Sequence, residues 1–280
     1  FSVMSSPVKN SRGETIAVVE VLRDITEMKR LQRKITEQND KLQNDLDIAR
    51  KLQCNMLPKE LPNAAVKFSF VYKPCEKLGG DFLDIFNIDE KRIGMYIADV
   101  SGRGVSASLL TVFLRSSINK KILQPSSVLK EIYREFNSNF FGQDLYITIF
   151  YAIIDLENST ITYSNAGHNA CPVVFNRNRF EILRSPGIPI SDWFDHPEYT
   201  DSVLPLIKND RIFFYTDGIV ELRNHKNEQF GEERLIDLLT DYSSDPNTIL
   251  NRIVDKACSF AGVDSTEIPD DITMALLEMR

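Results

Sequence analysis

Aspartates stand where the hydropathy pattern of this chain changes abruptly. Asp99 closes the apolar run Ile93-Gly94-Met95-Tyr96-Ile97-Ala98 and is followed by Val100-Ser101-Gly102-Arg103-Gly104 and then a helical pattern. Asp217 closes Ile212-Phe213-Phe214-Tyr215-Thr216 and precedes Gly218, while Asp270 and Asp271 open an apolar run at Ile272. Asp81 follows Gly79-Gly80 directly before Phe82-Leu83. A carboxylate at the tip of a buried strand costs desolvation unless positive charge meets it. No lysine or arginine recurs beside these four positions. Taken singly, each acid also fits a turn or a helix cap. Taken together, acids at four strand ends suit one cation centre served by several strands, and hard oxygen ligands favour Mg²⁺ or Mn²⁺.

The other residues able to do chemistry are less promising. Cys54, Cys75, Cys171 and Cys258 lie far apart without C-x-x-C spacing. They fit neither a zinc site nor a disulfide framework and read as incidental thiols of a reducing cytoplasm.

The elements that must position the acids can be read from the same pattern. Strand candidates cover 66–72, 82–88, 93–100, 145–155, 160–165, 172–175, 179–183, 211–216 and 272–278, and helix candidates 105–121, 126–141, 231–242 and 246–261. Strands in consecutive runs joined by short turns predict antiparallel sheets with helices layered outside, an α+β arrangement. Ahead of them, residues 1–24 carry two β-rich runs around Asn10-Ser11-Arg12-Gly13, a hairpin signal that reads as the end of a domain begun upstream. From Thr26 to Leu57 there is no Gly or Pro, and Leu31, Ile35, Leu42, Leu46, Ala49, Leu52 and Met56 form a narrow apolar stripe. The spacing predicts a helix of roughly 45 Å, ended by Pro58 and Pro62. Gln38 and Asp45 interrupt a strict heptad, so the expected parallel pairing with a second copy is an imperfect coiled coil.

Composition excludes several classes. At 280 residues, 42% hydrophobic and 26% charged, the chain is long enough for a full core and is not disordered in character. Residues 1–60 carry 11 basic against 9 acidic side chains, and the rest 22 against 31. An acidic main body argues against nucleic acid or an anionic membrane surface as partner. The longest apolar stretch, 146–154, is broken by Thr148 and too short to span a bilayer. A cytoplasmic location is expected, with room for a membrane-anchored sensor upstream.

Five motifs occur in an order that resembles bacterial PPM/PP2C-type serine/threonine phosphatases of the SpoIIE/RsbU class: Gly79-Gly80-Asp81-Phe82, Ile97 to Gly104, Ser164-Asn165-Ala166-Gly167-His168-Asn169, Tyr215-Thr216-Asp217-Gly218 and Asp270-Asp271-Ile272-Thr273. The resemblance covers about residues 63–280 and implies an α-β-β-α sandwich with two Mn²⁺ or Mg²⁺ ions. It implies further that Asp99 bridges the two ions, that Asp81 and the Val100 carbonyl serve the second, and that Asp217 and Asp270 complete the first, with Asp271 in support. Asp99 and Asp81 are thereby the catalytic candidates. Arg103, where relatives often carry His or Lys, either holds phosphate or covers the helix start, and His168 is either structural or a substrate-binding group. Ser191 replaces a glycine of the relatives' G-x-P-L/I-G turn. Gly79 to Phe82 also resembles the GGDEF signature of diguanylate cyclases, but no glutamate follows Asp81.

Residues 13–32, with Asp24-Ile25-Thr26-Glu27, are similar to the exit of a PAS sensor domain. The resulting expectation is a PAS-like remnant at 1–26, a helical signalling linker at 27–57 and a phosphatase domain at 58–280. The family resemblance implies a phosphoserine or phosphothreonine substrate on a STAS-type anti-sigma-factor antagonist, with upstream control through a homodimeric linker. The rival readings are a catalytically silent phosphoprotein-binding module and a dimeric signalling scaffold.

Overall fold

The computed structural model describes residues 1–59, 63–139, 144–265 and 267–280. Pro62 and the last two residues of the helix expected over 126–141 lie outside them. The chain forms two compact units, Phe1–Ala49 and Arg50–Arg280.

In the first unit β1 (Ser2–Lys9) and β2 (Thr15–Arg23) pair antiparallel, with Ser2 opposite Arg23. The turn between them places Gly13 at φ +81°, which costs a residue without Cβ little. Asp24 accepts a hydrogen bond from the Thr26 amide (2.8 Å) and starts α1 (Thr26–Met56). Leu31, Ile35 and Leu42 are all exposed along α1.

The second unit takes in the last two turns of α1 and then β3 (Val66–Lys73), β4 (Asp81–Asn87), β5 (Arg92–Val100), α2 (Gly104–Ser117), α3 (Pro125–Ser138), β6 (Ile147–Asp155), β7 (Thr160–Ala166), β8 (Val173–Asn176), β9 (Arg179–Ile182), β10 (Ser202–Pro205), β11 (Arg211–Tyr215), α4 (Gly218–Glu221), α5 (Gly231–Leu239), α6 (Pro246–Ala261) and β12 (Ile272–Met279). Two five-stranded sheets result, in the orders β10-β7-β6-β5-β4 and β3-β12-β11-β8-β9, with every pairing antiparallel.

Alternation along the strands explains the layering. In β11, Ile212 and Phe214 face the core shared with the first sheet, while Phe213 and Tyr215 face the cluster formed with α5 and α6. In β12, Ala275 and Leu277 point to the first cluster and Met274 and Leu276 to the second. Such strands read as unbroken apolar runs because both faces are covered, at about 1.5–3 kcal/mol for each large side chain buried. Leu110 and Leu114 of α2 and Val128, Leu129 and Ile132 of α3 complete the first cluster from outside the first sheet.

The expected α-β-β-α sandwich is therefore present, with small differences at its margins. α2 stops at Ser117 rather than 121, since Ile118 turns extended (φ −74°, ψ 109°). β10 and the single turn α4 carried no sequence signal long enough to read.

Candidate metal centre

The acids gather at one end of the two sheets. Asp81 opens β4 and Asp99 lies near the end of β5, and the register sets the two directly opposite each other. Cross-strand partners share a face with Cβ atoms about 5 Å apart, and like charges there are destabilising. From the second sheet, Asp217 follows the end of β11, and Asp270 and Asp271 precede β12. Thr216 joins the sheets: its hydroxyl donates to Asp81 Oδ2 (2.7 Å) and accepts from the Thr273 amide (3.0 Å), while its own amide donates to the Thr273 carbonyl (2.9 Å).

Two glycines allow this closeness. A Cβ on Gly218 would lie 2.0 Å from the Asp271 carbonyl oxygen, so only glycine lets α4 start against that turn. A Cβ on Gly80 would lie 2.9 Å from the Val100 carbonyl oxygen and 3.4 Å from that of Gly102. The backbone of the first motif thus runs bare against the Val100 carbonyl, the expected backbone ligand.

Electrostatics show what the site lacks. Burial, then Asp217, Asp270, Asp271 and Glu221, push the Asp99 carboxyl up to about 7. Burial, then Asp99 and Asp271, raise Asp81 well above the usual carboxylate range. Asp217 is raised by burial and by Glu221 and Asp270. Among the described residues none of Asp81, Asp99 and Asp217 takes part in an ion pair. Three hard donors that repel neighbouring acids and have no ion-pair partner of their own fit a divalent cation. Among the described residues no three His, Cys, Asp or Glu side chains stand close enough together to hold a metal ion as they are placed.

The remaining candidates take distinct places. Asp271 is committed to the backbone: Oδ1 accepts from the Cys75 amide (2.7 Å), and Oδ2 from the amides of Gly80 (2.6 Å) and Asp81 (3.3 Å). It holds the Gly79-Gly80-Asp81 loop in place, as a supporting residue must. Arg103 stands at the start of α2 with Nη2 3.6 Å from Asp270 Oδ1, both groups about half exposed.

His168 is held between strand ends of the two sheets and also lines the cavity beside Asp99. The ring is buried, Nε2–H donates to the Tyr215 carbonyl (3.0 Å), and Nδ1 lies 3.4 Å from the Thr148 hydroxyl. Burial lowers its pKa to about 4 and keeps it neutral. Thr148 also donates to the Asp99 carbonyl (3.1 Å). His168 is therefore a strut between the strand ends that carry Asp99 and Asp217.

Sequence reasoning missed Thr216, Thr148, Glu221 and Gln53. Glu221 lies one helical turn beyond Asp217, a spacing that could have flagged it. Gln53 of α1 is buried and exchanges hydrogen bonds with Gly79, donating to its carbonyl (2.8 Å) and accepting from its amide (3.2 Å). It also donates to Thr111 Oγ1 of α2 (3.2 Å).

A cavity of about 370 Å³ opens beside Asp99, Thr148 and Asp217. A second, of about 430 Å³ between Val173, Phe213 and Leu235, shares Asn169 with it but reaches none of the acids.

Comparison with known proteins bears on the family and the fold. Residues 89–280 match the family model described as Stage II sporulation protein E (SpoIIE). The phosphoserine phosphatase RsbP of Bacillus subtilis (strain 168) is 31% identical over 208 residues, which cover 72% of this chain and 50% of that protein. The chain thus spans about half the length of that relative. The SiaA-PP2C domain of Pseudomonas aeruginosa superposes with a TM-score of 0.74 at 20% identity, over 86% of this chain and 98% of that one. RsbX in complex with magnesium superposes with a TM-score of 0.58 at 15% identity, over 79% of this chain and 98% of that one. At such identities the structural likenesses speak to the fold.

Proposed function

Because the chain belongs to the SpoIIE family of PP2C-like serine phosphatases, we propose that it is a metal-dependent protein serine/threonine phosphatase acting on a phosphoserine or phosphothreonine of a regulatory partner. The observation that carries this reading is the pair Asp81 and Asp99, opposed across one sheet and faced by Asp217 and Asp270 from the other. Asp81, Asp99, the Val100 carbonyl, Asp217 and Asp270 are the groups that would hold two Mn²⁺ or Mg²⁺ ions. Such ions, when bound, acidify water and neutralise charge on phosphoryl oxygens.

The chain's own residues do the positioning. Asp271 fixes the backbone beneath Asp81, Thr216 orients the Asp81 carboxylate, and His168 with Thr148 sets the strand that carries Asp99. Arg103, half exposed beside Asp270, is proposed to take a phosphoryl oxygen pair bidentately. Among the described residues no cysteine lines the cavity, and the reaction proposed is attack by water on phosphorus. The substrate proposed is a STAS-type anti-sigma-factor antagonist. Control by residues 1–57 is proposed to pass through α1, whose Gln53 touches both the Gly79 loop and α2.

The test is phosphate release from p-nitrophenyl phosphate and a phosphoserine peptide, with Mn²⁺, Mg²⁺ or EDTA, comparing wild type with Asp99→Asn. Metal-dependent turnover that disappears in the variant is expected. Turnover that persists in EDTA, or that survives Asp99→Asn unchanged, rejects the mechanism.

A further inference from the structure

The cavity beside the acids is lined by polar side chains, Asp99, Thr148, His168, Asn169 and Asp217, and also by Tyr146, Pro189 and Trp193. The rings of Tyr146 and Trp193 lie 5.1 Å apart at 51°. Trp193 remains 51% exposed, although an indole gains more from burial than almost any other side chain.

The segment that presents it is anchored. Ser191 is buried and its hydroxyl accepts from the Trp193 amide (3.3 Å). From α3, Tyr133 donates to the Phe194 carbonyl (2.7 Å) and Asn137 to the Ser191 carbonyl (3.4 Å). An aromatic side chain on pinned backbone, at the rim of a cleft, is preorganised for a partner at little ordering cost.

We propose that Trp193 and Tyr146 form a docking wall for an apolar side chain adjacent to the phosphoserine of the protein substrate. The proposal rests on the phosphatase reading and extends it to substrate choice. Continuity argues for this occupant: the wall and the acids line one cavity, so a residue next to the phosphoserine reaches the wall while the phosphate sits at the acids. Consecutive residues of an extended strand are about 3.3 Å apart along the chain, well within such a space. Charge argues for an apolar side chain over an acidic one. The wall itself is uncharged, and exposed Asp192 and Asp195 flank Trp193 in sequence. Binding away from the phosphate in this way separates a protein substrate from small phosphate esters.

Three phosphoserine peptides that differ only in carrying Leu, Gly or Asp beside the phosphoserine test this, with the substituted position taken on each side in turn. With Mn²⁺, kcat/KM for a Leu peptide is expected to exceed that of its Gly counterpart about tenfold, with Asp lower still. In Trp193→Ala that ratio should collapse towards one, while Trp193→Phe should keep part of it. Comparing ratios within each variant isolates the contact from any general loss of activity. Trp193 is the single tryptophan of the chain. Its fluorescence in Asp99→Asn therefore reads binding without turnover, and the Leu peptide should change emission at lower concentration than the Gly peptide. Equal values for the three peptides, or a Leu preference that survives Trp193→Ala, overturns the proposal. If neither peptides nor p-nitrophenyl phosphate are hydrolysed with either metal, the phosphatase reading has failed. The fluorescence titration then decides the docking wall by itself, with equal responses to the Leu and Gly peptides rejecting it.

Discussion

At Asp99 the folded chain binds a proton more tightly than the unfolded chain does, with a carboxyl raised from its ordinary 3.8 to about 7 by burial and neighbouring acids. The stability this group contributes is thus complete below about pH 4 and lost as pH rises through about 7. His168 runs the other way. Burial lowers it from 6.5 to about 4, so its contribution is intact above about pH 6.5 and lost as pH falls towards 4. The two slopes oppose each other on the acid side, and a single melting curve against pH would blur them. Subtracting wild type from Asp99→Asn separates them. In EDTA the variant is expected to melt higher at pH 8, by about a few degrees, with the gain shrinking towards pH 4. A pH-independent difference, or a variant less stable than wild type at pH 8, removes this account. The ability to bind metal would then have no measurable cost in the metal-free fold.

At the scale of elements, the last turns of α1 act as part of the second unit through Gln53. Its amide makes three hydrogen bonds in a buried setting, and truncation leaves the Gly79 carbonyl and amide without their partner. Gln53→Ala is expected to destabilise the fold by about 1–3 kcal/mol. It should also lower turnover, because Gly79 and Gly80 precede Asp81 directly. Denaturant unfolding and kcat with Mn²⁺ check both, and a variant stable and fully active would detach α1 from the site. Little of this was legible in the sequence. A glutamine in a polar helix has no signature, and neither does a threonine such as Thr216, because their roles depend on what lies across a sheet. The acids were legible because each stood at one end of an apolar run. The strands were legible because residues such as Ile212 to Tyr215 are buried on both faces. Two things were not. Opposition of Asp81 to Asp99 needs the β4–β5 register, and the strut made by His168 needs β11 of one sheet packed across from β6 of the other. The four-residue edge strand β10, with Pro205 at its end, carried too few positions to show a period.

For the whole molecule, the apolar stripe of α1 has a predictable effect. Leu31, Ile35 and Leu42 are exposed on a long helix of otherwise polar composition, and such a helix is marginal in water without a partner. The chain is expected to form parallel dimers through α1. Sedimentation should show a dimer that Ile35→Glu combined with Leu42→Glu shifts to monomer, and a monomeric wild type would refute the pairing. The order of the second sheet carries a consequence for biosynthesis. β12 lies between β3 and β11 and pairs residues some two hundred positions apart, Met279 with Val66. While the chain emerges from the ribosome, β4 and β5 can close and oppose Asp81 to Asp99 and β11 can bring Asp217, yet the set of acids lacks Asp270 until β12 arrives. The cluster of acids is thus incomplete until the chain has been made as far as β12. Through that interval β3 and β11 wait with open edges, which makes them the natural clients of a chaperone.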